Sequence, residues 1–153
     1  PGIGVGGHCI AIDPWFIVAS SQELSPLIQT ARRVNNEKTK FVLKEIKNQL
    51  ESIEEKLNRE PNIGCCGLTY KPDVDDLRES PASQIVENLS NNYKNVIICE
   101  PNIDNHPKYK LSEINYLIRN SDIIIFLVAH SEFKDLSLTD KYIFDPCGVT
   151  SLN

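Results

Sequence analysis

The start of the chain combines residues that could do chemistry, because a nearly bare glycine loop leads into a cysteine. Residues 1–16 read PGIGVGGHCIAIDPWF, with four glycines in the first seven positions and Cys9 soon after them. Since glycine has no Cβ, a ligand can come close to the backbone N–H groups of such a loop. A thiol beside these donors predicts acyl transfer or capture of an aldehyde. The alternative is a turn before a buried structural cysteine, since free cysteine is often buried.

Asp13 is the partner that the spacing offers to Cys9. If a helical turn begins near Cys9, the i,i+4 spacing places both side chains on one face; the alternative is that Asp13 caps a turn or helix before the following proline. His8 is adjacent to Cys9, but neighbouring residues of an extended chain point to opposite sides, so a direct pair is geometrically awkward. His106 and His130 are single histidines in predicted loops. We expect both to have an ordinary surface role.

A second candidate site is the loop 67–81, GLTYKPDVDDLRESP, which joins a predicted strand to a predicted helix. Ligands of open parallel sheets bind at the carboxyl ends of strands, and helix N-termini attract anions. Lys71 and Arg78 lie on this loop, so it predicts an anion site that suits a phosphate. The alternative is an exposed loop whose charges compensate one another, since four acidic residues surround the two cations.

The glycine spacing at the start of the chain also matches G-x-G-x-x-G, from Gly2 to Gly7. A dinucleotide-binding loop requires this pattern between a strand and a helix, with an acidic residue further along the βαβ unit. Neither requirement is met here, and the predicted strand and turn at 63–68 lack the full pattern as well. The residues therefore predict no complete NAD-binding motif.

Composition excludes several classes of protein. A net charge of −5 over 153 residues lacks the basic excess of a nucleic-acid-binding protein, so we expect no nucleic-acid partner. The longest apolar run, 123–129, is far shorter than the roughly 20 residues of a membrane span, so we expect no membrane association. Five cysteines without a C-x-x-C pair predict neither a disulfide framework nor a metal site, and favour a cytoplasmic location.

Hydrophobic periodicity predicts an α/β fold with a Rossmann-like parallel sheet, preceded by a long helical arm. Four short, continuously apolar runs are predicted strands, typical of a sheet covered on both faces; they lie at 63–68, 96–99, 123–128 and 142–144. Helices are predicted after Ser80-Pro81 and around 111–118. A serine N-cap followed by proline also begins a long amphipathic helix at Ser25-Pro26. We expect that helix to end before Pro61, with a break near Asn35-Asn36.

The predicted elements divide the chain in two. Residues 1–60 are predicted to contain the cysteine loop and the long helix, and 61–153 the α/β domain. The long helix exceeds what one small domain needs, so its apolar stripe requires either a partner domain or a second subunit, and we expect a homodimer through this helix. The chain also starts inside a motif, so we expect it to be incomplete.

Two segments together resemble the UDP-glucose/GDP-mannose dehydrogenase family. They read GVGGHCIAIDPWF at 4–16 and GLTYKPDVDDLRESPA at 67–82, and the similarity continues through CEPN at 99–102 and FDPCGV at 144–149. The histidine before the cysteine and the DPWF ending are most similar to members that oxidise UDP-N-acetyl-D-mannosamine to its uronate. Members that act on UDP-GlcNAc, UDP-glucose or GDP-mannose are the alternatives, as is a UDP-binding and dimerisation module.

The resemblance implies the plan of the whole enzyme. An N-terminal Rossmann domain binds NAD, a helical region follows, and a C-terminal Rossmann-like domain binds the UDP moiety. This chain then corresponds to the end of the helical region and the C-terminal domain. The NAD domain and three upstream catalytic residues would lie outside it, so we expect no dehydrogenase turnover from the chain alone.

The resemblance also implies roles for particular residues in a double oxidation at C6 of the sugar by two NAD⁺. Cys9 would form a thiohemiacetal and then a thioester, and Asp13 would orient or activate the hydrolytic water. Implied substrate-binding residues are Gly2, Gly4, Val5, Gly6, Tyr70 and Lys71, and implied cofactor-binding residues are His8 and Arg78.

Overall fold

The computed structural model describes residues 2–150, which contain a four-stranded sheet with all strands parallel. The strands are β1 (Ile63–Cys66), β2 (Val96–Cys99), β3 (Ile123–Phe126) and β4 (Tyr142–Phe144), in the spatial order β2-β1-β3-β4. The predicted α/β class and the parallel sheet are confirmed. Because β1 lies between β2 and β3, the chain must leave β1 in one direction and return past it in the other.

Four α-helices accompany the sheet. They are α1 (Asp13–Ser20), α2 (Pro26–Leu57), α3 (Pro81–Asn92) and α4 (Ile114–Asn120), with short 3-10 helices at Gln22–Leu24 and Ser131–Phe133. The long helical arm is thus confirmed as α2. No helix among residues 2–150 is both long enough and apolar enough to cross a bilayer.

The two central strands, β1 and β3, are buried on both faces, as their uniformly apolar sequences require, whereas the edge strands β2 and β4 are partly exposed. Alternate residues of each strand point to opposite faces. Ile63 and Cys65 of β1 pack in a core with α2 and α3, whereas Cys66 packs in a second core with Leu117 of α4. Helix α3 connects β1 to β2, and α4 connects β2 to β3 in the opposite direction across the sheet. Right-handed crossovers in opposite directions place their helices on opposite faces. Helix α2 packs on the same face of the sheet as α3, where its buried residues share one core with β1 and β3.

The predicted break in the long helix is wrong, because α2 is continuous through Asn35 and Asn36. Asparagine disfavours a helix interior when its side chain competes for the nearby backbone. Here the Asn35 amide is engaged elsewhere: its Oδ1 accepts from Val5 N–H at 2.8 Å and its Nδ2 donates to Val5 O at 3.1 Å. Tertiary contacts therefore remove the local competition that predicted the break.

The two Ser-Pro helix starts differ in detail. Ser80 Oγ accepts from the N–H of Ser83 at 3.3 Å, so α3 has the predicted N-cap. Ser25 occupies the same position in α2, but its hydroxyl donates to Gln22 O instead. Both helices nevertheless begin at the predicted proline, whose fixed φ suits the first helical turn.

The predicted helix at 111–118 also needs correction at its start. Helix α4 begins at Ile114, and Leu111 instead forms a parallel bridge with Ile98 beside β2. Helix α1 was predicted only as an alternative, in which Asp13 caps a turn or helix. Its residues from Trp15 to Ala19 are apolar without interruption, so the alternation of apolar and polar faces on which such a prediction depends is absent.

Candidate functional site

A cavity of about 240 Å³ opens at the carboxyl end of the sheet, beside β1 and β3. Residues that follow β1, β3 and β4 contribute to its wall, together with the start of α3 and the glycine loop. The lining residues are Gly2, Ile3, Gly4, Thr69, Tyr70, Lys71, Pro72, Pro81, Ala82, Leu127, Val128, Ala129 and Cys147. In open α/β sheets ligands bind at this end, where successive crossovers diverge. The cavity lies at that point of divergence, between β1 and β3.

The glycine loop reaches this cavity because α2 holds its backbone. Thr39 Oγ1 donates to Ile3 O at 3.1 Å, and Asn35 makes the paired contacts with Val5 described above. Thr39 and Asn35 are one helical turn apart, so they present side by side on α2. The loop backbone is thereby fixed at two residues that flank Gly4.

On its other side the same loop packs against the loop after β1. Gly7 N–H donates to Arg78 O at 3.0 Å. A Cβ on Gly7 would meet the Tyr70 ring at 2.9 Å, and one on Gly6 would overlap Glu79 O. Gly7 also has φ +89°, a conformation that L-residues other than glycine rarely adopt. Glycine is needed here for packing between two loops, before any ligand is considered.

Cys9 is exposed, so the alternative of a buried structural cysteine is wrong for it. The predicted helical turn is present, since Cys9 O accepts from Ile12 N–H at 3.1 Å and from Asp13 N–H at 2.8 Å. Asp13 is the first residue of α1 and is also exposed. The turn therefore presents the thiol and the carboxylate four residues apart on an open surface.

His8 and Arg78 meet at Asp76 and not at the cavity wall. The guanidinium of Arg78 bonds both carboxylate oxygens of Asp76, with the shortest contact at 2.7 Å, and His8 Nδ1 lies 3.8 Å from Asp76. These contacts, with Arg78 foremost, lower the pKa of Asp76 to about 2. The Arg78 charge is thus compensated within its own loop, as the alternative to an anion site supposed.

Lys71 is the cation that lines the cavity. Its Nζ lies 5.5 Å from the centroid of the neighbouring Tyr70 ring, within the range of a cation–π contact. Tyr70 is half-buried by the glycine loop and Lys71 is exposed. Tyr70 and Lys71, two of the predicted substrate-binding residues, therefore lie together. Arg78, the second cation predicted for the site, pairs with Asp76 instead.

The expected surface role of His130 is wrong, because His130 is fully buried beside the cavity wall. Its Nε2 lies 3.1 Å from Glu100 Oε2, and its Nδ1 accepts from Asp73 N–H at 3.0 Å. Glu100 is buried too, and its Oε2 also accepts from Leu68 N–H at 2.7 Å. Burial opposes the charge of Glu100, but the hydrogen bonds from His130 and the backbone outweigh it and hold its pKa below the usual range.

Asp73, His130 and Glu132 lie close enough to share a metal ion. The Nδ1 lone pair of His130 is already occupied by Asp73 N–H, and the two Asp73 carboxylate oxygens accept from the N–H and hydroxyl of Ser131 at 2.8 and 2.7 Å. Coordination would require breaking these bonds, so we assign no metal to this group.

The remaining four cysteines differ from Cys9 in burial. Burial raises the pKa of Cys65 and Cys99 to about 12 and that of Cys147 to about 11, and it raises the pKa of Cys66 as well. A thiol is nucleophilic as its thiolate, so these four are poor nucleophiles. Cys147 also lines the cavity, where its Sγ lies 3.2 Å from Leu127 O.

Four polar residues of the site were not among the predicted ones: Asn35, Thr39, Glu100 and His130. Asn35 and Thr39 carry a usable signal, because polar side chains one turn apart continue the buried stripe of α2. Glu100 directly follows a buried strand, where an acidic side chain is expensive to bury without partners. His130 gives no such signal, since its partners come from distant parts of the chain.

The parallel sheet with helices on both faces, and a cavity at its diverging carboxyl end, define a doubly wound α/β domain of the nucleotide-binding type. Sequence comparison identifies the lineage. Residues 64–151 match the UDP binding domain of the UDP-glucose/GDP-mannose dehydrogenase family, and residues 1–37 match its central domain. The chain belongs to the UDP-glucose/GDP-mannose dehydrogenase family, as its motifs indicated.

Individual relatives agree. The chain is 42% identical to the UDP-N-acetyl-D-mannosamine dehydrogenase of Campylobacter jejuni, over 94% of this chain and 36% of that protein. It is 39% identical to the enzyme of the same name from Escherichia coli K12, over 97% of this chain and 38% of that protein. The structure of the UDP-N-acetyl-mannosamine dehydrogenase of Staphylococcus aureus superposes with a TM-score of 0.79 at 35% identity, over 97% of this chain and 36% of that one. The chain thus spans a little over a third of the relatives it matches.

Proposed function

We propose that the chain is the C-terminal part of an NAD-dependent UDP-sugar 6-dehydrogenase whose substrate is UDP-N-acetyl-D-mannosamine. One observation carries the proposal: a single glycine loop lines the cavity at the end of the sheet and leads directly to an exposed thiol, Cys9. A ligand held in the cavity by its nucleotide end would extend toward that loop. The choice of N-acetylmannosamine rests on the relatives named above.

The cavity suits the UDP end of such a substrate. The N-terminus of α3 and the side chain of Lys71 provide positive potential for a diphosphate, and Pro81 at the start of α3 lines the wall. Tyr70 and the Gly2–Gly4 backbone add an apolar surface and close approach, since a glycine loop lets a ligand reach the main chain. We assign substrate binding to Gly2, Gly4, Tyr70 and Lys71, which line the cavity; Val5 and Gly6 do not line it, and their role stays a prediction from the resemblance.

The chemistry that we propose for Cys9 follows from the reactivity of thiols. The thiolate adds to the C6 aldehyde and forms a thiohemiacetal; after its oxidation, water hydrolyses the resulting thioester. Asp13, one helical turn away, is placed to orient or activate that water. NAD⁺ is the hydride acceptor that the family uses for both oxidations.

The described residues of this sheet do not fit NAD. The glycines of residues 2–7 lie in an irregular loop and not between a strand and a helix. In dinucleotide-binding folds an acidic residue bonds the ribose hydroxyls, but Glu100 at the end of β2 is turned inward onto Leu68 and Thr69. The cofactor would have to bind elsewhere in a longer protein, with His8 and Arg78 near it, so we derive no step through it. We expect the 153-residue chain alone to produce no NADH.

A homodimer through α2 is the second part of the proposal. Leu27, Val34 and Phe41 follow one another at intervals of seven residues, and they are 80, 56 and 56% exposed. Most of the apolar stripe that predicted a partner, from Val42 to Ile53, is covered by the α/β domain of the same chain, so the proposal rests on this second, exposed stripe. A seven-residue apolar spacing is typical of a helix that pairs with another helix. Sedimentation should show a dimer that Val34→Glu with Phe41→Glu dissociates, whereas Lys40→Glu on another face of α2 does not.

Calorimetric titration of the chain with UDP tests the binding part of the proposal. We expect saturable binding that Lys71→Ala weakens, because the cavity loses its cation. Lys44→Ala is the matched control, since Lys44 is an exposed lysine of α2 outside the cavity. No heat of binding with the wild-type chain, or equal loss with both variants, would contradict the assignment of the cavity.

The thiol's role is tested in the longer protein that the proposal implies. Cys9→Ser should abolish formation of the uronate from UDP-N-acetyl-D-mannosamine, while UDP binding remains. UDP-GlcNAc, UDP-glucose and GDP-mannose tested beside it would decide the sugar. Undiminished uronate formation by Cys9→Ser would refute the covalent role; a substantially faster reaction with another nucleotide sugar would refute only the choice of substrate.

A further inference from the structure

The loop that carries Tyr70 and Lys71 is held by a buried polar cluster that consists of Glu100, His130 and Thr69. We propose that Glu100 and His130 are positioning residues, which hold this loop in its ligand-binding conformation without contacting the ligand. The inference rests on the proposed role of the cavity as the UDP site. Burying an acidic side chain and a histidine costs free energy unless both are hydrogen-bonded, and both are buried here.

Glu100 fixes the first half of the loop. Its Oε2 accepts from the N–H groups of Leu68 at 2.7 Å and Thr69 at 3.1 Å, and its Oε1 accepts from Asn102 N–H at 3.0 Å. These two amides belong to the second and third residues after β1, where the ladder of the sheet has ended. A carboxylate that accepts several backbone N–H groups makes charge-assisted bonds, which are stronger than neutral ones. The Glu100 carboxylate thus fixes the backbone of the loop where the hydrogen bonds of the sheet end.

His130 fixes the second half. Its Nδ1 faces the N–H of Asp73 at 3.0 Å and the Asn102 amide nitrogen at 2.9 Å. Because Asp73 N–H is a backbone donor, Nδ1 must be the unprotonated nitrogen and Nε2 carries the hydrogen. Nε2–H then donates to Glu100 Oε2 at 3.1 Å, with Thr69 Oγ1 at 3.3 Å. One ring therefore joins the carboxylate to the far end of the loop.

The residues between these anchors are those that line the cavity. Thr69 Oγ1 donates to Lys71 O at 3.0 Å, so the turn between the anchors is itself closed. Asp73 has φ +58° and bonds Ser131, which ties the loop to the residues after β3. Tyr70 and Lys71 have no freedom to leave the cavity wall unless this cluster opens. Their placement is thus a property of Glu100 and His130.

The test compares Glu100→Gln with Glu55→Gln, an exposed glutamate of α2 that contacts neither the cluster nor the cavity. A glutamine amide has one acceptor where the carboxylate has two, so the loop amides and Asn102 cannot both be satisfied. If the bound conformation falls to a tenth of the population, the apparent Kd for UDP rises about tenfold. We expect that rise with Glu100→Gln and none with Glu55→Gln, both variants keeping the circular dichroism of the wild type.

Two further measurements separate positioning from a general loss of stability, and neither requires UDP. The ¹⁵N resonances of His130 should show an unprotonated Nδ1 and a protonated Nε2. Amide exchange at Leu68, Thr69 and Asp73 should accelerate in Glu100→Gln while exchange in α3 stays unchanged. A protonated Nδ1, or loss of protection throughout the domain, would overturn the proposal.

His130 provides a second, independent pair of variants. His130→Asn keeps an acceptor that can reach Asp73 N–H, whereas His130→Ala removes it. Asn should therefore retain tighter UDP binding than Ala; equal binding by the two would refute the role of Nδ1. If the wild-type chain does not bind UDP, the proposed function fails. If the wild type binds and Glu100→Gln binds equally well, the positioning role alone fails.

Discussion

Selective modification of Cys9 is the sharpest consequence of how the five cysteines are placed. We expect a limiting amount of an aromatic disulfide reagent at pH 8 to react first at Cys9, because it is the exposed cysteine of the described residues. Cys147 is its nearest competitor, being half-buried with a pKa raised to about 11. Intact-mass spectrometry followed by peptide mapping would locate the first adduct, and Cys9→Ser is the matched control.

The expected margin for Cys147 can be worked from its pKa. At pH 8 about one Cys147 in a thousand is a thiolate, against about a quarter of a model thiol with a pKa near 8.5, a deficit of about 240-fold. A more basic thiolate is also more nucleophilic, and over this difference in pKa its reaction rate rises about 13-fold. Cys147 should thus react about 20-fold more slowly than a model thiol, before burial slows it further. A first adduct on Cys147, or adducts shared evenly between Cys147 and Cys9, would refute this reasoning.

Three stability measurements test the fold that supports the site. Leu50→Ala, in the fully buried stripe of α2, should lower the free energy of unfolding in urea by about 2–5 kcal/mol. Ser80→Ala removes the N-cap of α3 and should cost about 1 kcal/mol, with a larger loss than for a serine-to-alanine change on the surface. Asp122 bonds Arg59 through two contacts of 2.8 Å, which lowers the Asp122 pKa, so the native state binds fewer protons than the unfolded chain near pH 4. Asp122→Asn should therefore be destabilising at pH 7, and the difference from wild type should shrink as the pH falls below about 4; a constant difference would contradict the assignment.

The positions of the strands were predictable because each strand is short, apolar and bounded by turn residues. β2 and β4 have the predicted limits, and both cores follow from alternation along the strands. Helix α2 was predictable at its ends for a similar reason, with Pro26 at its start and an apolar stripe beyond. The break at Asn35 was wrong because propensity is a local quantity, whereas the Asn35 amide bonds to a loop 30 residues away.

The candidate site was predictable only in part. Tyr70, Lys71 and the glycine loop were found because they belong to continuous motifs at the end of a strand. The ion pair of Arg78 could not be predicted, since Arg78 lies beside four acidic residues and the sequence does not indicate which of them it contacts. His130 shows the same limit more strongly: its partners Glu100 and Asp73 are 30 and 57 residues away, so only the fold brings them together.

The glycine loop that leads to Cys9 and the loop 67–81 are held together by direct contacts. Gly7 donates to Arg78 O, and Tyr70 packs beneath the glycine backbone, so neither loop can shift without disturbing the other. Helix α2 holds the outer side of the glycine loop through Asn35, and the buried Glu100 holds the loop 67–81 through the N–H of Leu68. If a ligand binds at Lys71 as proposed, these contacts fix the position of the glycine loop before the ligand arrives, and such pre-organisation is the geometric condition for covalent catalysis on a bound substrate.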